Sequence, residues 1–244
     1  MLPSAPTLLA AARDSWPPDP PEALLPKLRR LEHWEPAVGT LRDRYASLGE
    51  EARAAARGIE SAFVGRRAAM VFHVVVTSGL RTTSPFVESA RTAFESSQSA
   101  ASLAVLADRG VPETYGVKRA KLETVRAVAE RLHQYAEEAG LDEEAAVRRW
   151  ASEALAFELQ PTAEPWVGRV PGVDATTLAT MGRCCGADAV RPDRRLWEGL
   201  RRLGFPLPGG WLTDEARMDT IVVVTAAAAQ LSLPRAVVDE TAVR

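Results

Sequence analysis

The sequence predicts an all-α fold. Apolar residues recur at helical spacing along most of the chain, as Val125, Val128 and Leu132 do on one face. Only two runs, 71–76 and 221–224, have the β-branched composition of strands, and two isolated runs cannot form a sheet of any size. With 244 residues, 46% of them hydrophobic, the chain can bury a good core as one large domain or two lobes.

The elements follow one another from a proline-rich start. Prolines up to Pro26 keep the chain extended or turning, so 1–35 is expected to be an N-terminal arm. Gly140 stops the helix that carries Val125, and Asp142 caps the next one. The longest apolar run, Ile221–Ala229, is far too short to cross a bilayer and is expected to end a core helix. The other helices are predicted over about 37–47, 50–65, 67–79, 84–95, 99–108, 143–157, 174–182, 193–203 and 213–230.

Charge and cysteine content limit the classes of function. The formal net charge is −2 and the pI is near 6.0, so any nucleic-acid surface must be local. Cys184 and Cys185 are neighbours, which disfavours a disulfide between them, and two cysteines cannot hold a four-cysteine iron–sulfur or zinc site. We therefore expect a cytoplasmic protein with no metal, no cofactor and no membrane segment.

A tight turn between two helices is indicated by the run Val170-Pro171-Gly172-Val173-Asp174. The helix that follows it begins at once, and a helix start presents unpaired backbone N–H groups to an anion. Glycine lets the chain approach such a ligand closely. The run resembles the helix-hairpin-helix motif, whose usual form is Leu-Pro-Gly-Val-Gly followed by Thr or Ser two residues later; here Thr176 and Thr177 follow.

Further segments extend the resemblance to the helix-hairpin-helix (HhH-GPD) DNA glycosylase superfamily of endonuclease III. Asp193, Leu196 and the run Arg202-Leu203-Gly204 stand where that family has Asp-x-His-Val-x-Arg-Val-x-x-Arg-Leu-Gly. Segments 74–94 and 115–125 look like its apolar helix with inserting loop and its tyrosine followed by Lys-Ala. These blocks cover about 71–204 in the family's order.

The resemblance implies a two-lobed all-α glycosylase domain over 36–244. One lobe of six helices would span roughly 67–165. The hairpin lobe would be built from 166–244 with part of the N-terminal helices. Such a protein would act in base-excision repair as a cytoplasmic, nucleoid-associated monomer, and its partner would be double-stranded DNA containing a modified base.

Asp193 is the candidate catalytic residue. Cleavage of an N-glycosidic bond leaves positive charge on the sugar, so a fixed carboxylate can stabilise that charge and activate water. The structural alternative is that Asp193 caps the helix running to Leu203, and one residue can do both. Family members that also cut the strand carry a lysine in the hairpin helix, and the matching position here is Thr176. A monofunctional glycosylase without β-lyase activity is therefore expected.

The remaining candidates follow from base flipping and phosphate contact. Leu80 would be a wedge that fills the gap left by the flipped base and Arg81 a phosphate or orphan-base contact, unless Gly79 only ends a helix. His73, Ser78 and Trp197 are weaker candidates for the base pocket, and His73 can equally be a core histidine. The candidate DNA-binding residues are Leu80 and Arg81, the hairpin residues Pro171, Gly172, Val173, Asp174, Thr176 and Thr177, and the basic residues Lys118, Arg119, Lys121, Arg194 and Arg195.

The sequence departs from the family at three points. Asp174 replaces the second hairpin glycine and brings a negative charge near the expected phosphate. Arg195 replaces a common histidine, and the iron–sulfur tail is absent. Two alternatives to the glycosylase therefore stay open: a DNA-binding protein of the same fold that cleaves nothing, and a helical protein-interaction module.

Overall fold

The computed structural model describes residues 10–11, 25–78, 85–112, 116–207, 210–211 and 213–244. These residues form helices joined by turns and contain no strand, which confirms the all-α class. The α-helices are α1 (Leu25–Leu28), α2 (Trp34–Ser61), α3 (Arg67–Thr77), α4 (Pro85–Glu95), α5 (Leu103–Arg109), α6 (Arg119–Ala139), α7 (Glu143–Ala154), α8 (Ala175–Cys184), α9 (Arg194–Arg202), α10 (Asp214–Leu231) and α11 (Arg235–Val243). Short 3₁₀ turns lie at Gln98–Ala100, Leu155–Phe157 and Pro161–Ala163.

The chain divides into two compact units. The central unit is 59–187, and the terminal unit joins 1–58 to 188–244. This division differs from the expected lobes, which were to meet at about residue 166. Segment 166–187 belongs to the central unit because α8 packs on α3 and α7.

The central unit is built around α3, whose strand-like run 71–76 is helical. Side chains all around this helix are buried, and Phe72 stacks on Phe94 of α4 with ring centroids 4.2 Å apart. A helix covered on every face can be apolar on every face, so β-branched composition does not make it a strand. Burial of each such large side chain contributes about 2 kcal/mol.

A partly buried ion pair joins three helices of the central unit. Arg67 of α3 is 1% exposed, and its Nε donates to Oε2 of Glu144 on α7 over 2.8 Å. Its Nη1 donates to the carbonyl oxygen of Cys184 on α8. Hydrogen bonds from Arg67 hold the pKa of Glu144 down at about 2. Both cysteines are buried free thiols, and burial raises the pKa of Cys185 to about 12.

The core of the terminal unit is α10. Its residues from Thr220 to Ala228 are buried, and they include the second strand-like run, 221–224. The last helix, α11, has no counterpart among the sequence predictions and packs on α9 and α10. Within the described ranges no single helix is long and apolar enough to cross a membrane; α10 and α11, bent by 109°, pass only as a pair, by length and composition.

Several helix boundaries differ from the predictions. The predicted helices 37–47 and 50–65 are one helix, α2, which passes through Gly49 without a break and ends at Ser61, so 62–65 form a turn. The start predicted at 99 is a 3₁₀ turn, and α5 begins only at Leu103, where Ser102 provides the cap. Within the expected arm, α1 and the start of α2 are described, and 1–9 and 12–24 lie outside the described residues.

One carboxylate shapes the segment that leads into the hairpin turn. Glu164 is 2% exposed and accepts hydrogen bonds from the backbone N–H groups of Val167 and Gly168 over 2.7 and 2.6 Å. It also accepts from the N–H of Trp166 and from Nε1 of Trp150 on α7, each over 3.2 Å. The carboxylate therefore accepts the backbone hydrogen bonds that carbonyl groups would accept in a regular helix.

Glu164→Ala is expected to lower the free energy of unfolding by about 3 kcal/mol, because it leaves several buried N–H donors without an acceptor. Urea denaturation followed by circular dichroism measures the change. The matched control is Glu137→Ala, since Glu137 is 69% exposed and lies 3.6 Å from His133; its expected effect is within about 0.5 kcal/mol. Equal losses in the two variants would contradict this role of Glu164.

Candidate functional site

The hairpin turn is fixed by a glycine and by α6. The N–H of Val173 donates to the carbonyl of Val170 over 3.0 Å, and Gly172 has φ of +91°. A Cβ on Gly172 would lie 2.7 Å from Oγ1 of Thr124, whose hydroxyl donates to the carbonyl of Pro171. Only glycine fits both the positive φ and this close approach. The element before the turn is irregular, with turns over 165–169, whereas α8 after it is a regular helix.

Asp174 caps α8. Its Oδ1 accepts from the N–H of Thr177 over 2.8 Å and from the Thr177 hydroxyl over 2.7 Å. Oγ1 of Thr177 also lies 2.9 Å from Oγ of Ser78, the residue that ends α3. The residue that departs from the family's glycine thus uses one helix N–H internally and puts a carboxylate at the positive end of the helix dipole.

Lys121 lies beside this cap although it is 53 positions earlier in the chain than Asp174. Its ammonium group donates to the carbonyl oxygens of Val75, Val76 and Ser78 at the C-terminal end of α3. Burial, and then the charge of Lys118, lower the pKa of Lys121, while the carboxylate of Asp174 opposes them. The side chain therefore neutralises the negative end of α3 and uses its three N–H groups within the protein.

The other basic candidates of the central unit are exposed. Lys118 is the N-cap residue of α6, and Arg119 pairs with Glu123 over 3.0 Å. Both could approach an anion from solvent. The predicted wedge residues, Leu80 and Arg81, lie outside the described residues, as does Gly79.

His73 is a half-buried side chain of α3. Burial, and then the charge of Arg91, lower its pKa, so the imidazole is neutral at neutral pH. Its ring centroid is 5.4 Å from that of Phe63. Its Nδ1 is buried and has no hydrogen-bond partner among the described residues. Such a nitrogen is consistent with a polar ligand or a water at this position, and the pocket role stays a prediction.

Asp193 lies in the terminal unit, as the N-cap of α9. Its Oδ1 accepts from the N–H of Leu196 over 2.9 Å, so the structural alternative, a helix cap, is present. Burial raises the pKa of Asp193 above the usual value for aspartate. Backbone hydrogen bonds from Leu196 and Arg195 and the charge of Arg191 act in the opposite direction. The result is a desolvated carboxylate held rigidly at the start of a helix.

Three charged residues next to this cap are absent from the sequence predictions. Arg191 donates through Nη2 to Glu240 over 2.9 Å and to Asp239 over 3.4 Å. Both acids belong to α11, the helix that the periodicity did not reveal. Their only sequence signal would have been two adjacent acids within an apolar segment.

The other candidates of the terminal unit lie along α9. Arg194 and Arg195 are exposed, and Nε of Arg194 lies 2.7 Å from Oε1 of Glu198. Trp197 is 7% exposed, and the guanidinium of Arg201 lies over its ring at 4.8 Å from the centroid. Its Nε1 is buried without a partner in the part of the chain that is described.

No protein-family model matches the chain, and no curated protein or solved structure matches it either.

Lys121→Met is expected to lower the free energy of unfolding by about 2 kcal/mol, since three carbonyl groups at the end of α3 lose a charged donor. Thermal or urea unfolding measures the loss. Lys118→Met, three residues earlier on an exposed side chain, is the matched control and is expected to stay within about 0.5 kcal/mol of wild type. A destabilisation by Lys118→Met as large as that by Lys121→Met would contradict the capping role.

Proposed function

We propose that the protein is a monofunctional DNA glycosylase, which hydrolyses the N-glycosidic bond of a modified base in double-stranded DNA. The observation that carries the proposal is the state of Asp193. It is a half-buried carboxylate whose pKa is raised by burial, fixed by backbone N–H groups at the start of α9. Water attack on the sugar needs a carboxylate that is immobile and poorly solvated but still ionised at neutral pH.

Asp193 has two tasks in this mechanism. As the bond to the base lengthens, positive charge develops on the sugar, and the carboxylate stabilises it more strongly because little water screens it. The same group accepts a proton from the attacking water. Its cap contacts fix the side chain before substrate arrives, so no reorganisation is needed in the transition state.

The placement of the lysines supports a monofunctional reaction. An amine nucleophile needs a free lone pair, and the ammonium of Lys121 is engaged with three carbonyl oxygens. Lys118 and Lys27 are exposed to solvent. The hairpin position that carries lysine in strand-cutting enzymes is Thr176.

DNA contact is assigned to the hairpin and to the exposed basic side chains near it. The Gly172 turn brings backbone close to a ligand, and Lys118 and Arg119 at the start of α6 supply positive charge. Asp174 weakens this surface because its carboxylate repels phosphate. We therefore expect modest affinity for duplex DNA and a strong dependence on salt.

A second candidate is a protein that binds DNA without cleaving it. The specific observation in its favour is the cap itself, because the hydrogen bond from Leu196 gives Asp193 a sufficient structural reason to be present. Base release from modified duplexes, measured for wild type and for Asp193→Asn, separates the two candidates.

Asp193→Asn is expected to lower the single-turnover excision rate by about a hundredfold or more, because the amide keeps the cap but cannot carry the negative charge. In wild type the rate should fall as the pH falls through the pKa of Asp193, which burial raises above the ordinary value for aspartate. The measurement is base release from duplexes that contain uracil, oxidised, alkylated or hypermodified bases.

The control for this prediction is duplex affinity, which should be the same in wild type and Asp193→Asn. Borohydride should trap no covalent adduct of the wild-type protein with an abasic or lesion duplex. Binding without release from any duplex in the panel would select the second candidate. A trapped adduct would contradict the monofunctional mechanism.

Asp174→Asn is expected to tighten duplex binding roughly fivefold at low salt, equivalent to about 1 kcal/mol, because asparagine caps α8 without the charge. Fluorescence anisotropy with a labelled duplex measures the affinity, and the gain should shrink as salt rises. Asp142→Asn is the matched control, since Asp142 caps α7 in the same way. Equal effects of the two variants would exclude a specific role for the hairpin.

A further inference from the structure

The segment that leads to Asp193 and the helix α11 are joined by reciprocal hydrogen bonds, in which a carboxylate of each accepts from backbone N–H groups of the other. Asp188 accepts from the backbone N–H groups of Arg235 and Ala236, over 2.9 and 2.8 Å, and so caps α11 from outside. Pro234, at the N-cap position of that helix, makes no side-chain cap. In return, Oδ2 of Asp239 on α11 accepts from the backbone N–H of Arg191 over 2.9 Å.

Arg191 is held to α11 by its side chain as well as by its backbone. Its guanidinium pairs with Asp239 and Glu240, which are 0% and 6% exposed. The carbonyl of Arg191 accepts from the N–H of Asp193 over 2.7 Å. Two successive hydrogen bonds therefore connect the buried carboxylate of Asp239 to the backbone of Asp193.

The helix that Asp193 caps also rests on α11. A Cβ on Gly199 of α9 would lie 2.3 Å from the carbonyl oxygen of Ala242, so the two backbones are in direct contact. Gly199, after the cap, contacts α11, and Arg191, before the cap, is hydrogen-bonded to α11. Asp193 therefore lies between two points at which the chain is held to α11. Its position depends on α11.

Charged residues of the segment before α9 and of α11 lie around the cap. Arg191 precedes it in the chain, and Asp239, Glu240 and Arg244 lie on or just after α11. Arg244 is 3.7 Å from Glu51 of α2 and 4.0 Å from Glu240. Of these groups, Arg191 lowers the pKa of Asp193 and Asp239 raises it, after the larger effect of burial.

We propose that Asp239 is a positioning residue, which fixes the carboxylate of Asp193 for glycosidic cleavage by holding the backbone of Arg191 and the charge of its guanidinium. The inference rests on the proposed function, because the group that is positioned is the carboxylate of that reaction. The contacts with Arg191 carry it: one fully buried acid accepts from the backbone N–H and pairs with the side chain of the residue two before Asp193.

Two substitutions in the full chain separate hydrogen bonding from charge. Asp239→Asn keeps an oxygen that can accept from the Arg191 N–H but removes the negative charge. Asp239→Ala removes both. Asp214→Asn is the matched control, because Asp214 is an 81% exposed aspartate of the same unit that pairs with Arg217. Circular dichroism and thermal melting establish that each variant is folded before it is assayed.

Asp239→Ala is expected to lower kcat for excision on the order of tenfold or more with KM unchanged, because the carboxylate is displaced while DNA contact is kept. Asp239→Asn should recover most of the rate at neutral pH and move the acid limb of the pH profile to lower pH, since a neighbouring negative charge is gone. A carbon-detected NMR titration should show the pKa of Asp193 falling in the same variant. Asp214→Asn should match wild type in all three measurements.

Wild-type kcat in Asp239→Ala, or an unmoved pH profile and titration in Asp239→Asn, would overturn the proposal. If Asp239→Ala does not fold, Asp239→Asn alone decides it through those two readouts. A wild-type protein that releases no base removes the proposed function and, with it, the catalytic part of this inference. The titration of Asp193 would then still report whether the charge of Asp239 acts on the cap.

Discussion

The candidate site depends on one kind of interaction, in which a carboxylate accepts hydrogen bonds from backbone N–H groups. Glu164 supplies it to the segment before the hairpin, Asp174 to the start of α8, and Asp193 to the start of α9. Asp188 and Asp239 bond the chain to α11 in the same way. A helix start or an irregular turn has N–H groups without helical partners, so each of these acids removes the cost of a buried, unsatisfied donor. The acids that shape the backbone are the same ones that set the charge of the site.

This double use explains why Asp193 is both a cap and a candidate catalyst. Capping requires an oxygen near the first N–H groups of a helix, and catalysis requires that oxygen to be ionised and poorly hydrated. Burial raises its pKa, whereas the N–H groups and Arg191 favour the ionised form. Asp193 is therefore a desolvated carboxylate whose ionised form is supported by two backbone hydrogen bonds and a neighbouring positive charge.

Local signals in the sequence predicted much of the fold. Helical spacing gave the class, Gly140 ended α6 with φ of +64°, and Asp142, Asp174 and Asp193 are the caps of α7, α8 and α9. These features depend on residues at most four positions apart. The helix α11 was missed because a short apolar run after Pro234 has little periodicity, and its burial depends on α9 and α10.

Long-range contacts were beyond such reasoning. The bond between Asp239 and Arg191 spans 48 positions, and the contacts of Lys121 with the end of α3 span 43 to 46. Lys121 is predicted to contact phosphate because it lies at a helix start, and in the structure its ammonium group donates to carbonyl oxygens at the end of α3. No periodicity encodes which carbonyl groups a lysine will meet. The sequence indicated Asp193, but only the packing of α11 shows what fixes it.

The contact between Gly199 and Ala242 limits the substitutions that α9 can accept. The atom opposite Gly199 is a backbone carbonyl oxygen, which no substitution can trim. A larger residue at 199 therefore has no compensating change on α11, and a rotation of α9 about its axis would bring a side chain into the same collision. Substitutions on the solvent face of α9, where Arg194 and Arg195 lie, do not meet this constraint. This backbone contact fixes the register of α9 against α11, and the bonds of Asp239 to Arg191 act in addition to it.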